Sequence, residues 1–113
     1  MILYVPFLPT GGFTCSQSLI LINSKYRGDA GLLAHERCHQ EQMRRVGTLW
    51  FWWRYATHQR FRLRAEVEAY KVQIAHGANP DKMAEHLARG YCIGLGVPYA
   101  KQLLKENHGL PRQ

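Results

Sequence analysis

The stretch from Asp29 to Gly47 constrains the fold of this chain more than any other part of it. Asp29 is a good N-cap, because its carboxylate can accept from a backbone N–H that the first helical turn leaves unpaired. From there Leu32, Leu33, Glu36, His39, Met43 and Val46 recur at spacings that share one broad helical face, which predicts a helix running to about Val46. That face is not simply apolar. His35 and His39 lie one turn apart and therefore one above the other, so both rings can reach a common cation. Glu36 follows the first histidine directly, completing an HExxH pattern (His35-Glu36-Arg37-Cys38-His39). Neutral imidazole suits Zn²⁺, and a carboxylate beside the first ligand can take a proton from water activated there. In a chain with six histidines and six glutamates, chance yields this pattern only about 2 times in 100.

The rest of the chain reads as mostly helix behind a short β element, an α+β architecture in one domain spanning 1–113. Residues 2–7 and the run Ser18–Asn23 are β-prone and can pair as a small sheet, separated by the turn-rich Pro9-Thr10-Gly11-Gly12. Helical signal continues over Thr48–His58 and Arg62–His76, stopping at Gly77. Asn79-Pro80 opens another helix to about Arg89, Gly90–Gly96 reads as a loop, and Pro98–Asn107 forms a last helix ending at Gly109. A core built from 113 residues is small, so a bound metal would matter for stability as well as chemistry.

A catalytic zinc wants three protein ligands and an open position. Gln42 and Arg45 stand where a metzincin carries its glycine and third histidine, which excludes that branch. The remaining source is a second helix, and Glu66 and Glu68 sit together in Arg64-Ala65-Glu66-Val67-Glu68-Ala69-Tyr70. Glu68, His58 and His76 are alternatives to Glu66 as third ligand. HExxH followed by a helix bearing Glu-x-x-Ala resembles the gluzincin metallopeptidases, closest to the CAAX prenyl protease and HtpX-type families. It is also similar to small bacterial and phage zincin-like domains whose second helix reads Glu-x-Glu-Ala-Tyr. The resemblance covers roughly residues 18–76. It implies His35, His39 and Glu66 as zinc ligands, Glu36 as general base, and peptide or protein as substrate. Tyr70 stands where those families have Asp; it can supply a hydrogen bond to the site, or belong to the apolar stripe Leu63, Val67, Tyr70 and Ile74. Tyr55, His58 and Tyr70 are the candidate oxyanion donors. Leu19–Ile22 occupies the place of the exposed edge strand that pairs with extended peptide in zincins.

Charge and aromatics leave other readings open. Fifteen Lys and Arg against eight Asp and Glu give a formal charge of +7. No helix-turn-helix, zinc finger or RNA-binding aromatic motif accompanies the basic residues, so a solvated face is favoured over a nucleic-acid footprint. Trp50-Phe51-Trp52-Trp53, with Tyr55 and Phe61, cannot all point inward from one helix; part of the cluster can line a pocket, pack on a protein partner or rest at a membrane interface near Arg44, Arg45 and Arg54. The N-terminal run lacks a basic region and is broken by Pro6 and Pro9, and the longest apolar run elsewhere is far too short to span a bilayer. Three cysteines, Cys15, Cys38 and Cys92, form no disulfide framework, which fits a reducing cytoplasm. Two further functions remain beside the peptidase: a zinc-stapled binding module without catalysis, and a basic nucleic-acid or membrane-surface protein in which HExxH is incidental.

Overall fold

Ile20 and Ile22 are buried while Leu21 and Asn23 are only partly so, the alternation of a strand with one face on a core. The computed structural model describes residues 1–90 and 96–106, and within them this strand is the middle of three. β1 (Ile2–Val5) runs parallel to β3 (Ile20–Asn23), with Ile2 opposite Ile20 and Val5 opposite Asn23. β2 (Gly12–Thr14) runs antiparallel to β3 on its other side, with Gly12 opposite Ile22 and Thr14 opposite Ile20. The sheet order is therefore β1-β3-β2. Ile20–Ile22 is thus the central strand and not the exposed edge that its position before the metal-ligand helix suggests. Both of its hydrogen-bonding edges are taken, and the edge nearest that helix is β2. Three residues beginning with glycine carry no readable period, which is why β2 is hidden in a segment that reads as a turn.

Among the described residues five helices follow: α1 (Ala30–Val46), α2 (Thr48–Thr57), α3 (Gln59–Ala75), α4 (Pro80–Arg89) and α5 (Val97–Lys105). The expected α+β class holds. The Asp29 carboxylate accepts from the Leu32 amide at 2.9 Å, and Asn79 caps α4 in the same way through the Lys82 amide. α1 ends at Gly47, whose φ of 90° lies in the left-handed region that glycine enters freely. α3 starts three residues earlier than its apolar pattern implies. Most of the predicted Gly90–Gly96 loop, the predicted helix end at Asn107–Gly109, and Cys92 lie outside the described residues. Among the described residues, no helix is long and apolar enough to cross a membrane.

α3 returns alongside α1, the most extensive helix pairing among the described residues. Small residues help the two helices approach: a Cβ on Gly31 of α1 would lie 3.3 Å from Cγ of Gln73 on α3. Two apolar clusters flank this pair. One joins α3, α4 and α5 through Val67, Tyr70, Met83, Ala84, Leu87, Ala88, Ala100 and Leu103. The other joins α1, α2 and α3 through Met43, Phe51 and Ala65, with Trp52, Tyr55 and Phe61 at its margin. The predicted metal ligands sit where the clusters meet. His35 packs edge-on to Tyr70 of the first, with ring centroids 4.5 Å apart, and His39 lies 6.1 Å from Phe51 of the second.

Candidate metal centre

Successive turns of α1 present His35 and His39 to α3, and Glu66 faces them from α3. His35 Nε2 lies 3.2 Å from one Glu66 carboxylate oxygen and His39 Nε2 lies 3.2 Å from the other. All three side chains are buried, and their donor atoms lie within 4.8 Å of one another. Burial alone would raise the Glu66 carboxyl, but the facing His39 and His35 rings outweigh it and hold the group well below the usual carboxylate range. Burial alone would lower His39; the Glu66 charge more than offsets this and pushes it up to about 9. The site is therefore built for positive charge. Glu66 Oε1 accepts no hydrogen bond from the described residues although it is fully buried. A buried carboxylate whose two oxygens each face one imidazole nitrogen at 3.2 Å is a donor set that a divalent cation can complete. These three residues could hold a metal ion.

Further side chains fix these groups in place. Tyr55 on α2 donates its hydroxyl to Glu66 Oε2 at 2.6 Å. Burial, followed by the adjoining Glu66 charge, raises the phenol far above its ordinary range, so it remains a donor. Gln42 Oε1 lies 2.8 Å from His39 Nδ1, where an amide oxygen can only accept, so Nδ1 donates and Nε2 is the nitrogen that could bind an ion. The Gln42 amide nitrogen in turn donates to the Ala65 carbonyl at 3.0 Å and to Glu68 at 2.8 Å. Glu68 also accepts from Arg45 at 2.8 Å and from the Cys38 thiol. That thiol is pushed up to about 12, mainly by burial and then by Glu68.

Glu36 has separate support from the sheet. The Thr14 hydroxyl, on β2, lies 2.8 Å from both the Glu36 carboxylate and the Glu36 backbone carbonyl, so its one hydrogen is shared between them. A Cβ on Gly12 would come within 3.0 Å of Glu36 Cγ and Oε2. Only glycine lets the edge strand pass this close to that side chain.

The sequence-based candidates separate cleanly on this geometry. His35, His39 and Glu66 come together, with Glu36 close enough for its charge to act on His39. Glu68 does not join them, being held by Gln42 and Arg45. His58 and His76 are exposed at the two ends of α3, bonded to Thr57 and to the Val72 carbonyl respectively. Tyr55, a candidate oxyanion donor, is engaged by Glu66. Tyr70 belongs to the apolar cluster and packs on His35. Sequence reasoning missed Thr14, Gly12 and Gln42. Gln42 alone left a local signal, since i and i+3 side chains meet on a helix and a glutamine three residues after a ligand histidine can reach its second nitrogen. No protein-family profile, curated protein or solved structure matches the chain.

Proposed function

We propose that this chain is a zinc-dependent metallopeptidase of the gluzincin kind, acting on peptide or protein in a reducing cytoplasm. The observation that carries the reading is a buried His35–His39–Glu66 donor set with an adjacent carboxylate, Glu36, positioned by Thr14 and Gly12. His35, His39 and Glu66 would hold the ion. Zinc bound there supplies Lewis acidity, which lowers the pKa of a water and polarises the scissile carbonyl. Glu36 accepts the proton of the attacking water and returns it to the leaving amine. Thr14 steadies Glu36 through its hydroxyl, which a carboxyl group can accept in either protonation state. Tyr55 and Gln42 keep Glu66 and His39 turned towards the ion, a positioning role. Tyr70, packed edge-on to His35, is the donor candidate for the substrate oxyanion that lies against a ligand histidine. Among the described residues the outer edge of β2 pairs with no further strand, so extended peptide would add there, beside Glu36.

The experiment is a pair of measurements on purified protein. Elemental analysis should find one zinc per chain, lost in His35→Ala and Glu66→Gln. Glu36→Gln should keep the zinc while hydrolysis of a mixed peptide pool disappears. Zinc-free protein, or a Glu36→Gln variant as active as the parent, sinks the reading. A zinc-stapled module without catalysis is favoured by one observation: Glu36 and Glu66 are only 5% and 2% exposed. Zinc retention with no peptide cleaved by the parent protein would decide for that alternative.

A further inference from the structure

α2 has two aromatic faces of opposite destination. Phe51, Trp52 and Tyr55 turn inward, with Phe51 1% exposed and the Trp52 indole donating to the Cys15 carbonyl at 3.1 Å. Leu49, Trp50 and Trp53 turn outward and are 86%, 52% and 60% exposed. Positions 49, 50 and 53 share one side of the helix, so these three make a continuous apolar ridge and not scattered exposure.

The ridge is flanked by cations. The Arg54 guanidinium lies 5.9 Å from the Trp50 ring centroid and 5.2 Å from that of Phe61. Arg54 lies in the last turns of α2 and Arg60 and Arg64 in the first turns of α3, near enough for the Arg60 and Arg54 charges to act on Arg64. Among the described residues none of these three makes an ion pair, whereas Arg44 and Arg45 are paired with Glu41 and Glu68. The occupant of this face must therefore be apolar at its centre and anionic around it.

Three occupants can be weighed on that chemistry. A second copy of the chain, packed about a two-fold axis, would bring two such arginine groups against each other, in a chain already at +7. A single-stranded nucleic acid would satisfy the arginines and stack on the tryptophans, but the most exposed residue of this ridge is Leu49, which has no ring to stack. An anionic bilayer surface answers all three features: aliphatic insertion, tryptophan at the headgroup level, and arginine against phosphate.

We propose that the outer face of α2 docks on an anionic lipid surface, with Leu49, Trp50 and Trp53 entering the headgroup–acyl boundary and Arg54, Arg60 and Arg64 facing lipid phosphates. The chain then binds peripherally. Phe51, on the opposite side of the same helix, lies beside His39, so docking holds the His35–His39–Glu66 group about one helix diameter (~10 Å) from the lipid. This inference is independent of hydrolysis at that group.

The test is co-sedimentation of the full chain with sucrose-loaded vesicles. Vesicles of equimolar phosphatidylcholine and phosphatidylglycerol should bind the protein, and vesicles of phosphatidylcholine alone should not. Added salt should weaken binding. The double variant Trp50→Ala/Trp53→Ala should bind at least about tenfold more weakly, with the circular dichroism of the parent. Should that variant fold poorly, fluorescence of the parent protein decides. Tryptophan emission should shift to the blue on binding and be quenched by lipids brominated near the headgroup. The proposal is overturned if anionic vesicles do not bind, or if the double variant binds them as well as the parent. It is equally overturned if bound tryptophans escape quenching, if sedimentation shows a dimer that the double variant dissolves, or if a single-stranded oligonucleotide binds more tightly through the same residues.

Discussion

Where α1 turns inward it carries histidine, glutamate and glutamine; where α2 turns outward it carries leucine and tryptophan. The two helices meet at Gly47, and each reverses the ordinary partition of polar and apolar side chains. On α1 the reversal is compensated inside the molecule at every one of these groups but His35 Nδ1, which is buried without a hydrogen-bond partner among the described residues. Glu36 has Thr14, His39 has Gln42, and Glu66 has Tyr55 and the two histidines. Those contacts are what buried polar groups require, since each would otherwise forfeit its hydration without return. On α2 no described residue covers the ridge. The contrast separates a site that a small ion could complete from a surface that only something large could cover.

Removing one member of the α1 group should give the largest effects. Glu36→Gln keeps shape and burial but cannot take a proton, so hydrolysis should fall at least about 10²-fold with zinc content unchanged. Glu66→Ala leaves two buried imidazoles without their anion, and metal-free protein should lose about 3–5 kcal/mol in urea unfolding. A loss below about 1 kcal/mol would mean that the group does not organise the α1–α3 pairing. Chelation should lower the melting temperature of the parent protein and leave that of Glu66→Gln unmoved.

The same group sets a pH dependence whose sign depends on the ion. In metal-free protein His39 is raised from 6.5 to about 9 by Glu66, acting against burial. Its contribution is therefore complete below pH 6.5 and is lost as pH rises through 9. Glu66 is shifted the other way from 4.5, so its contribution is present above that value and fades only in stronger acid. Metal-free protein should thus lose stability between pH 7 and pH 9. Zinc-loaded protein should instead lose it on acidification, as protons displace the ion from the histidines. Thermal melts with and without chelator should converge in acid, where the ion is lost, and separate as pH rises; parallel curves would break the comparison.

How much of this was legible from sequence follows the range of the interaction that decides it. The Asp29 and Asn79 caps, the left-handed Gly77 after α3 and the shared face of His35 and His39 depend on residues within four positions, and all were readable. Glu66 was reachable through its resemblance to a Glu-x-x-Ala helix, and the choice over Glu68 is explained by Arg45 and Gln42, which draw Glu68 away. The strand order was not legible. Ile20–Ile22 has the composition of any half-buried strand, and only β2, three residues long, makes it central. Thr14 likewise reaches Glu36 from across a sheet register that no local pattern announces. α2 was ambiguous because four consecutive aromatics have no period; the inward pair Phe51 and Trp52 is selected by Met43, Phe61 and Tyr55, which come from three helices.

Gly12→Ala probes the contact between sheet and general base. Its Cβ would meet Glu36 at 3.0 Å, so either the edge strand or the carboxylate must shift, at a cost of about 1–3 kcal/mol. Peptide hydrolysis should fall while zinc content holds, because the clash falls on Glu36 and not on His35, His39 or Glu66. Unchanged hydrolysis would show that the position of Glu36 against β2 is immaterial.

The smallest expected effect is the most discriminating between the two helices. Trp53→Ala removes a large side chain that is mostly in water, so stability should change by less than about 0.5 kcal/mol. Phe51→Ala, two residues away on the inward face, should cost about 3–5 kcal/mol, because it opens a cavity beside His39. Chemical denaturation of the two variants measures the difference directly. If Trp53→Ala were as costly as Phe51→Ala, the outer face of α2 would be part of the folded core and the ridge would need no partner. If instead it is silent in solution and changes only vesicle binding, its tryptophan is there for a surface outside the chain.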